Sequence, residues 1–224
     1  MAAVYLSQAY LAPVQYYAKL LPYDTVYLEA AENYVKQTYR NRCLIAGANG
    51  IQVLTVPVEK PPTEKCPVRD IRISDHGHWR HLHWQALVSA YGSSSFFEYY
   101  RDDFAPFYAR KFDFLFDFSE ALRQLVCELA DLRPDVRLTS RYESSVPNDF
   151  RESIRPKHPG TDSYFLPKPY YQVFSGRHGF LPNLSIVDLL FNMGTETIAV
   201  LRQSALSGYA CDRFAQSFIP ELTK

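Results

Sequence analysis

An Asn-Gly pair between two β-prone runs restricts the fold of this chain more than any other feature. Arg42–Ala46 (RCLIA) leads into Ala48-Asn49-Gly50, and Ile51–Val58 (IQVLTVPV) leads out. Asn and Gly both tolerate positive φ, which a tight turn between paired strands requires. Residues 42–58 are therefore predicted to form a β-hairpin turning at Ala48–Gly50, with positive φ at both Asn49 and Gly50. Pro57, Pro61 and Pro62 end the second arm and open a polar loop to about Pro67.

Around the hairpin the pattern reads as alternating strands and helices. Residues 3–8, Thr25–Ala30, Val68–Ser74, Val136–Tyr142 and Tyr170–Phe174 read as strands. Helices are expected over Val14–Leu21 (opened by Pro13 and stopped by Pro22), 78–91, Ser119–Leu132 with Ser119 as its N-cap, Leu184–Asn192 and Glu196–Ser204. The aromatic stretch 96–118 lies in the helical middle section, and Gly176–Pro182 reads as a turn. Residues 143–169, rich in Ser, Pro, Arg, Lys and Asp, form an irregular loop expected to cover a pocket mouth or to be poorly ordered. The expectation is a single α/β domain over residues 1–224 with a mixed β-sheet, an N-terminal β-hairpin and a helical middle.

Composition narrows the partners. Lys plus Arg and Asp plus Glu number 24 each, a balance that disfavours nucleic acid and a polybasic membrane contact. The first residues, MAAVYLSQAYLAPVQYY, lack a basic leader, and no run is long enough for a membrane span, so a cytoplasmic protein is expected. Cys43, Cys66, Cys127 and Cys211 are widely spaced and read as free thiols. The aromatics, 15% of the chain, read mostly as core.

Chemistry concentrates at a few positions. On a helix over 78–91, Trp79, Leu82, Ala86, Leu87 and Ala90 share one stripe, and His83 falls inside it. A buried imidazole needs a hydrogen-bond partner, so His83 is either a satisfied core contact or a general base. His78 and His81 lie on the opposite face, which argues against one metal held by the cluster His76, His78, His81 and His83; no metal site is expected. Asn41 and Arg42 stand at the hairpin entrance, where a guanidinium can hold an anion or lie solvated. Asp188 sits in the apolar run LSIVDLLF and must be paired, either to orient a catalytic group or to cap a nearby loop. Lys168 and Lys157 in the irregular region can contact phosphate or simply be solvated. Gln8, Tyr10, Arg42, His83 and Asp188 are expected to border one pocket that takes an anionic ligand. Walker, Gly-x-Gly-x-x-Gly and Gly-x-Ser-x-Gly patterns are missing, and the sequence names no cofactor.

Several motifs together resemble the WbqC-like family. They are Gln8-x-Tyr10-Leu11-x-Pro13 with Tyr17, Tyr39-x-Asn41-Arg42 leading to Leu54-Thr55-Val56-Pro57-Val58, Trp79-x-x-x-His83-Trp84 running to Ala90-Tyr91 and Phe96-Phe97-Glu98, and Phe180 to Phe191 (FLPNLSIVDLLF). Ala9 departs from the proline that many members carry there. The resemblance implies a surface-polysaccharide or O-antigen setting without naming a reaction. Two functions stand on these residues. One is a transferase acting on a sugar or sugar-nucleotide precursor, with His83 as base, Asp188 as orienting acid, Arg42 as anion clamp, and Gln8, Tyr10, Asn41 and Lys168 also contacting substrate. The other is a non-catalytic binding or scaffold protein of the same pathway. Either would take a small-molecule or nucleotide-sugar ligand; the oligomeric state is not legible.

Overall fold

In the computed structural model, which describes residues 2–61, 63, 65–157 and 159–205, two small sheets pack against a helical layer. The first sheet is parallel: β1 (Ala3–Ser7), β2 (Thr25–Glu29) and β5 (Val136–Leu138), in the order β1-β2-β5. Its register, Ala3↔Thr25 through Ser7↔Glu29, puts Val4, Leu6, Val26 and Leu28 on one face, all buried in the core. Tyr5 and Tyr27 stack on the other face with ring centroids 4.8 Å apart. The outer edge of β1 does not stay open. Tyr5 exchanges backbone hydrogen bonds with Asn148 and Phe150, so the irregular segment shields that edge.

The second sheet is the hairpin, β3 (Arg42–Gly47) and β4 (Gly50–Thr55), paired from Arg42↔Thr55 to Gly47↔Gly50. Its turn is where the Asn-Gly pair placed it, but only Gly50 takes positive φ (108°); Asn49 does not. The α/β architecture agrees with expectation. The mixture of strand directions is divided between two sheets, parallel in one and antiparallel in the other.

Helices α1 (Val14–Ala18), α2 (Trp79–Tyr91), α3 (Phe97–Ala109), α4 (Leu115–Leu129), α5 (Ser175–His178), α6 (Ile186–Met193) and α7 (Thr197–Ser204) complete the fold. Helix α4 begins four residues before Ser119, because Leu115 and Phe118 extend its apolar stripe through Leu122 and Val126. Ser119 is thus a buried interior residue and not a cap. Val68–Ser74 is not a strand: Val68–Asp70 is a 3-10 turn, and Arg72 and Ile73 form only single bridges, to Phe114 and Val58. Tyr170–Phe174 is also irregular, and α5 occupies part of the expected turn. In α2 the buried stripe is Trp79, His83, Leu87, Ala90 and Tyr91, whereas Leu82 is 60% exposed, so the apolar face is narrower than the wheel implied.

The core is aromatic, as composition led one to expect. The Phe191 ring meets Tyr91, Phe97 and Phe104 edge-on at 5.1–5.4 Å and joins α6 to α2 and α3. Cys43, Cys66 and Cys127 are buried free thiols; Cys211 lies outside the described residues. Among the described residues no helix is long and apolar enough to cross a membrane.

Candidate functional site

Tyr10 and His83 come together in the core. The Tyr10 hydroxyl lies 2.9 Å from His83 Nδ1 and 2.9 Å from the Tyr108 hydroxyl, and all three residues are buried. Burial lowers the His83 pKa to about 4, while a hydrogen bond to the Thr55 backbone opposes the shift. Which of His83 Nδ1 and the Tyr10 hydroxyl donates follows from the tautomer of the ring. Hydrogen bonds thus link the Tyr108 hydroxyl, the Tyr10 hydroxyl and the neutral His83. Burial also holds the Tyr10 and Tyr108 hydroxyls protonated, well above the usual phenol range.

Asp188 is satisfied elsewhere. In the first turn of α6 its carboxylate accepts from the Tyr91 hydroxyl (2.9 Å), the Tyr170 hydroxyl (2.7 Å) and the Gln172 amide (2.8 Å). All three partners are neutral. Burial raises its pKa against the effect of those donors. Tyr91 also accepts from the Ala46 N–H, and Gln172 exchanges bonds with the Leu181 backbone. Asp188 thereby ties the hairpin, α2, α6 and the 170–181 segment into one knot.

The remaining candidates are spread over the molecule. Asn41 and Val56 bond each other at the hairpin base, through the Asn41 amide and the Val56 N–H. Arg42 stands opposite Thr55, half-buried, with its Nε buried and unpartnered. Lys168 is exposed, and its backbone N–H bonds Ser204. His76, His78 and His81 are exposed, and among the described residues no group of three His, Cys, Asp or Glu side chains is placed to hold a metal.

Two concave regions lie at opposite ends of the hairpin. At its tip, a cleft of about 470 Å³ is lined by Gly47 to Gln52, by Ala86, Ser89 and Ala90 of α2, and by Phe174. His178 reaches the Ala48 carbonyl beside it. The Asp188 knot buttresses this cleft, because Tyr91 follows Ala90 and bonds the residue before Gly47. At the hairpin base, a narrow crevice opens beyond the carboxyl end of β1, lined by Gln8, Tyr16, Tyr39, Arg40, Phe150, Arg151 and neighbours.

Charges that sequence reasoning missed surround that crevice. Arg40 forks onto Glu32 (2.8 and 2.5 Å) and also meets Glu152 at 3.0 Å. Arg151 meets Glu29 at 2.7 Å with both side chains almost fully buried, and it holds Asp149 and the Glu143 carbonyl. Lys19 pairs with Asp162 at 2.7 Å; burial lowers its pKa, and Asp162 restores part of the loss. These buried ion pairs and Ile154 bind the described residues of the 143–169 segment to the body. The only signal in the sequence was the charge of the loop itself, since the partners it meets outside the loop are more than 100 residues distant.

A model of the WbqC-like protein family matches residues 8–155, two thirds of the chain. No curated protein and no solved structure matches. The chain belongs to the WbqC-like family.

Proposed function

Given its membership of the WbqC-like family, we propose that the protein binds a saccharide in the cleft between the hairpin turn and α2. The setting is the surface-polysaccharide pathway that the resemblance implies, and the reading takes residues 1–224 as one domain working in the cytoplasm. One observation carries it: the cleft is lined by neutral polar groups and an aromatic ring, with no charged side chain among them. The Asn49 and Gln52 amides and the Ser89 hydroxyl can each donate and accept, matching the two roles of a sugar hydroxyl. Phe174 offers a face to the apolar side of a pyranose. Gly50, where an added Cβ would meet nothing within 4 Å, leaves the backbone open to close approach. The cleft volume of about 470 Å³ falls within the roughly 300–1,000 Å³ of small-molecule sites.

Thermal-shift titration with free monosaccharides and nucleotide sugars tests this. A ligand at a hundred times its Kd adds about 2.7 kcal/mol to stability. Ser89→Trp, at an exposed position, fills the cleft and should abolish the shift while the protein stays folded. A shift that survives in Ser89→Trp defeats the reading.

A transferase is the second reading, with His83 as base, Asp188 orienting, Arg42 holding an anionic group, and Gln8, Tyr10, Asn41 and Lys168 at the substrate. It is favoured by the neutral state of His83, which leaves the imidazole able to take a proton. It is opposed by burial and by the engagement of Nδ1 with the Tyr10 hydroxyl. Turnover of a nucleotide sugar, lost in His83→Gln with binding retained, would select it.

A further inference from the structure

The cleft at the hairpin tip contains a piece of unpaired strand edge, and that edge narrows the class of sugar it can take. Ala46 gives its N–H to the Tyr91 hydroxyl, and the Leu44 carbonyl accepts from the Ser185 N–H, so both residues direct backbone groups away from β4. Their register partners Ile51 and Val53 accordingly turn N–H and C=O away from β3. Ile51 lines the cleft, and among the described residues nothing pairs with its N–H or C=O. Gln52 also lines it, from the other face of the strand. Its Oε1 sits over Gly47, 3.4 Å from where a Cβ would stand, and among the described residues its amide has no hydrogen-bond partner. A secondary amide carries an N–H and a C=O that point in opposite directions. A free strand edge beside a free carboxamide offers one partner to each.

The opposite wall suits the rest of such a group. Ala86 and Ala90 stand one helical turn apart on α2 and bring only methyl groups to the cleft, a seat for one small apolar substituent. No charged side chain lines the cleft, so neither an ammonium nor a phosphate finds a counter-ion there. We infer that the saccharide of this cleft carries an acetamido group and is an N-acetylated amino sugar. The acetamido carbonyl accepts from the Ile51 N–H, its N–H donates to Gln52 Oε1, and its methyl rests on Ala86 and Ala90, while the pyranose face lies on Phe174. The inference rests on the saccharide reading of the cleft and names its substrate class.

Calorimetric titration of N-acetylglucosamine, N-acetylgalactosamine, glucose, galactose and glucosamine into the full chain tests it, with saturation-transfer NMR on the same samples. The better of the two acetylated sugars should bind about ten-fold more tightly than its unsubstituted parent, and glucosamine no better than glucose. The acetyl methyl should receive the strongest saturation. In Gln52→Leu, a change at an exposed strand position, the ratio of acetylated to parent affinity should fall to about one. That ratio is read on protein that still binds the parent sugar, so loss of the fold cannot imitate it. Equal affinity for acetylated and parent sugars, or a preference that survives in Gln52→Leu, overturns the inference and leaves the saccharide reading standing. No binding by any of the five overturns both.

Discussion

Acidification should weaken this fold through a single imidazole. His83 has a pKa of about 4 when folded, set by burial, against roughly 6.5 in an unfolded chain. Its folded pKa is the lower one, so between pH 6.5 and pH 4 the unfolded state binds more protons. The contribution of His83 is present above pH 6.5 and is lost as pH falls toward 4. Integrating that difference gives a loss of about 2 kcal/mol by pH 5, relative to pH 7.5. His83→Gln removes the titration and keeps an acceptor for Tyr10. Urea unfolding followed by tryptophan fluorescence, at pH 7.5 and pH 5 for both proteins, reads the difference. The parent should lose about 2 kcal/mol more than the variant between the two pH values. An equally steep loss in His83→Gln refutes the reasoning, and so does an imidazole that titrates near 6.5 by NMR.

Other expectations follow from buried partners and from one backbone position. Arg151→Met leaves Glu29 as a buried charge without its cation and should cost about 3–5 kcal/mol, read by urea unfolding, with Glu29→Gln in the same chain recovering part of it. Asp188→Asn turns an acceptor of three donors into a group that must itself donate, and should cost about 1–3 kcal/mol; a near-neutral result would show that the knot is not needed. Gly194 has φ 54°, and an added Cβ would come within 2.4 Å of the Phe96 ring. Gly194→Ala should therefore lower stability by about 2 kcal/mol or more in thermal unfolding.

What could be read from the sequence was local. Asn49-Gly50 announced the hairpin because turn chemistry is carried by adjacent residues, and the burial of His83 followed from helical phase alone. Ser119 misled because a hydroxyl before a helical stretch looks like a cap, whereas Leu115 and Phe118 had already committed the chain to α4. Val68–Ser74 alternates like a strand but meets only single bridging residues, and no periodicity reveals a missing ladder partner. The charged lining of the crevice was hidden for a different reason. Arg40 sits beside the more conspicuous Asn41-Arg42, and its partners Glu32 and Glu152 come from opposite sides of it in sequence. Glu29 and Arg151 are 122 residues apart. Pairing at that distance is fixed by topology.

The first twenty residues are made early and completed late. Tyr5 finds its backbone partners at Asn148 and Phe150, and Val14 and Ala12 find theirs at Leu184 and Ile186. At a translation rate of about 5–20 residues per second, roughly nine to thirty-four seconds separate the appearance of Val14 from that of Ile186. Throughout that interval α1 lacks the α6 and α7 surfaces it packs against. Such non-local closure makes for slow folding. In a cell, the yield of this protein should depend on chaperones that hold the emerging amino-terminal segment until the second half of the chain arrives.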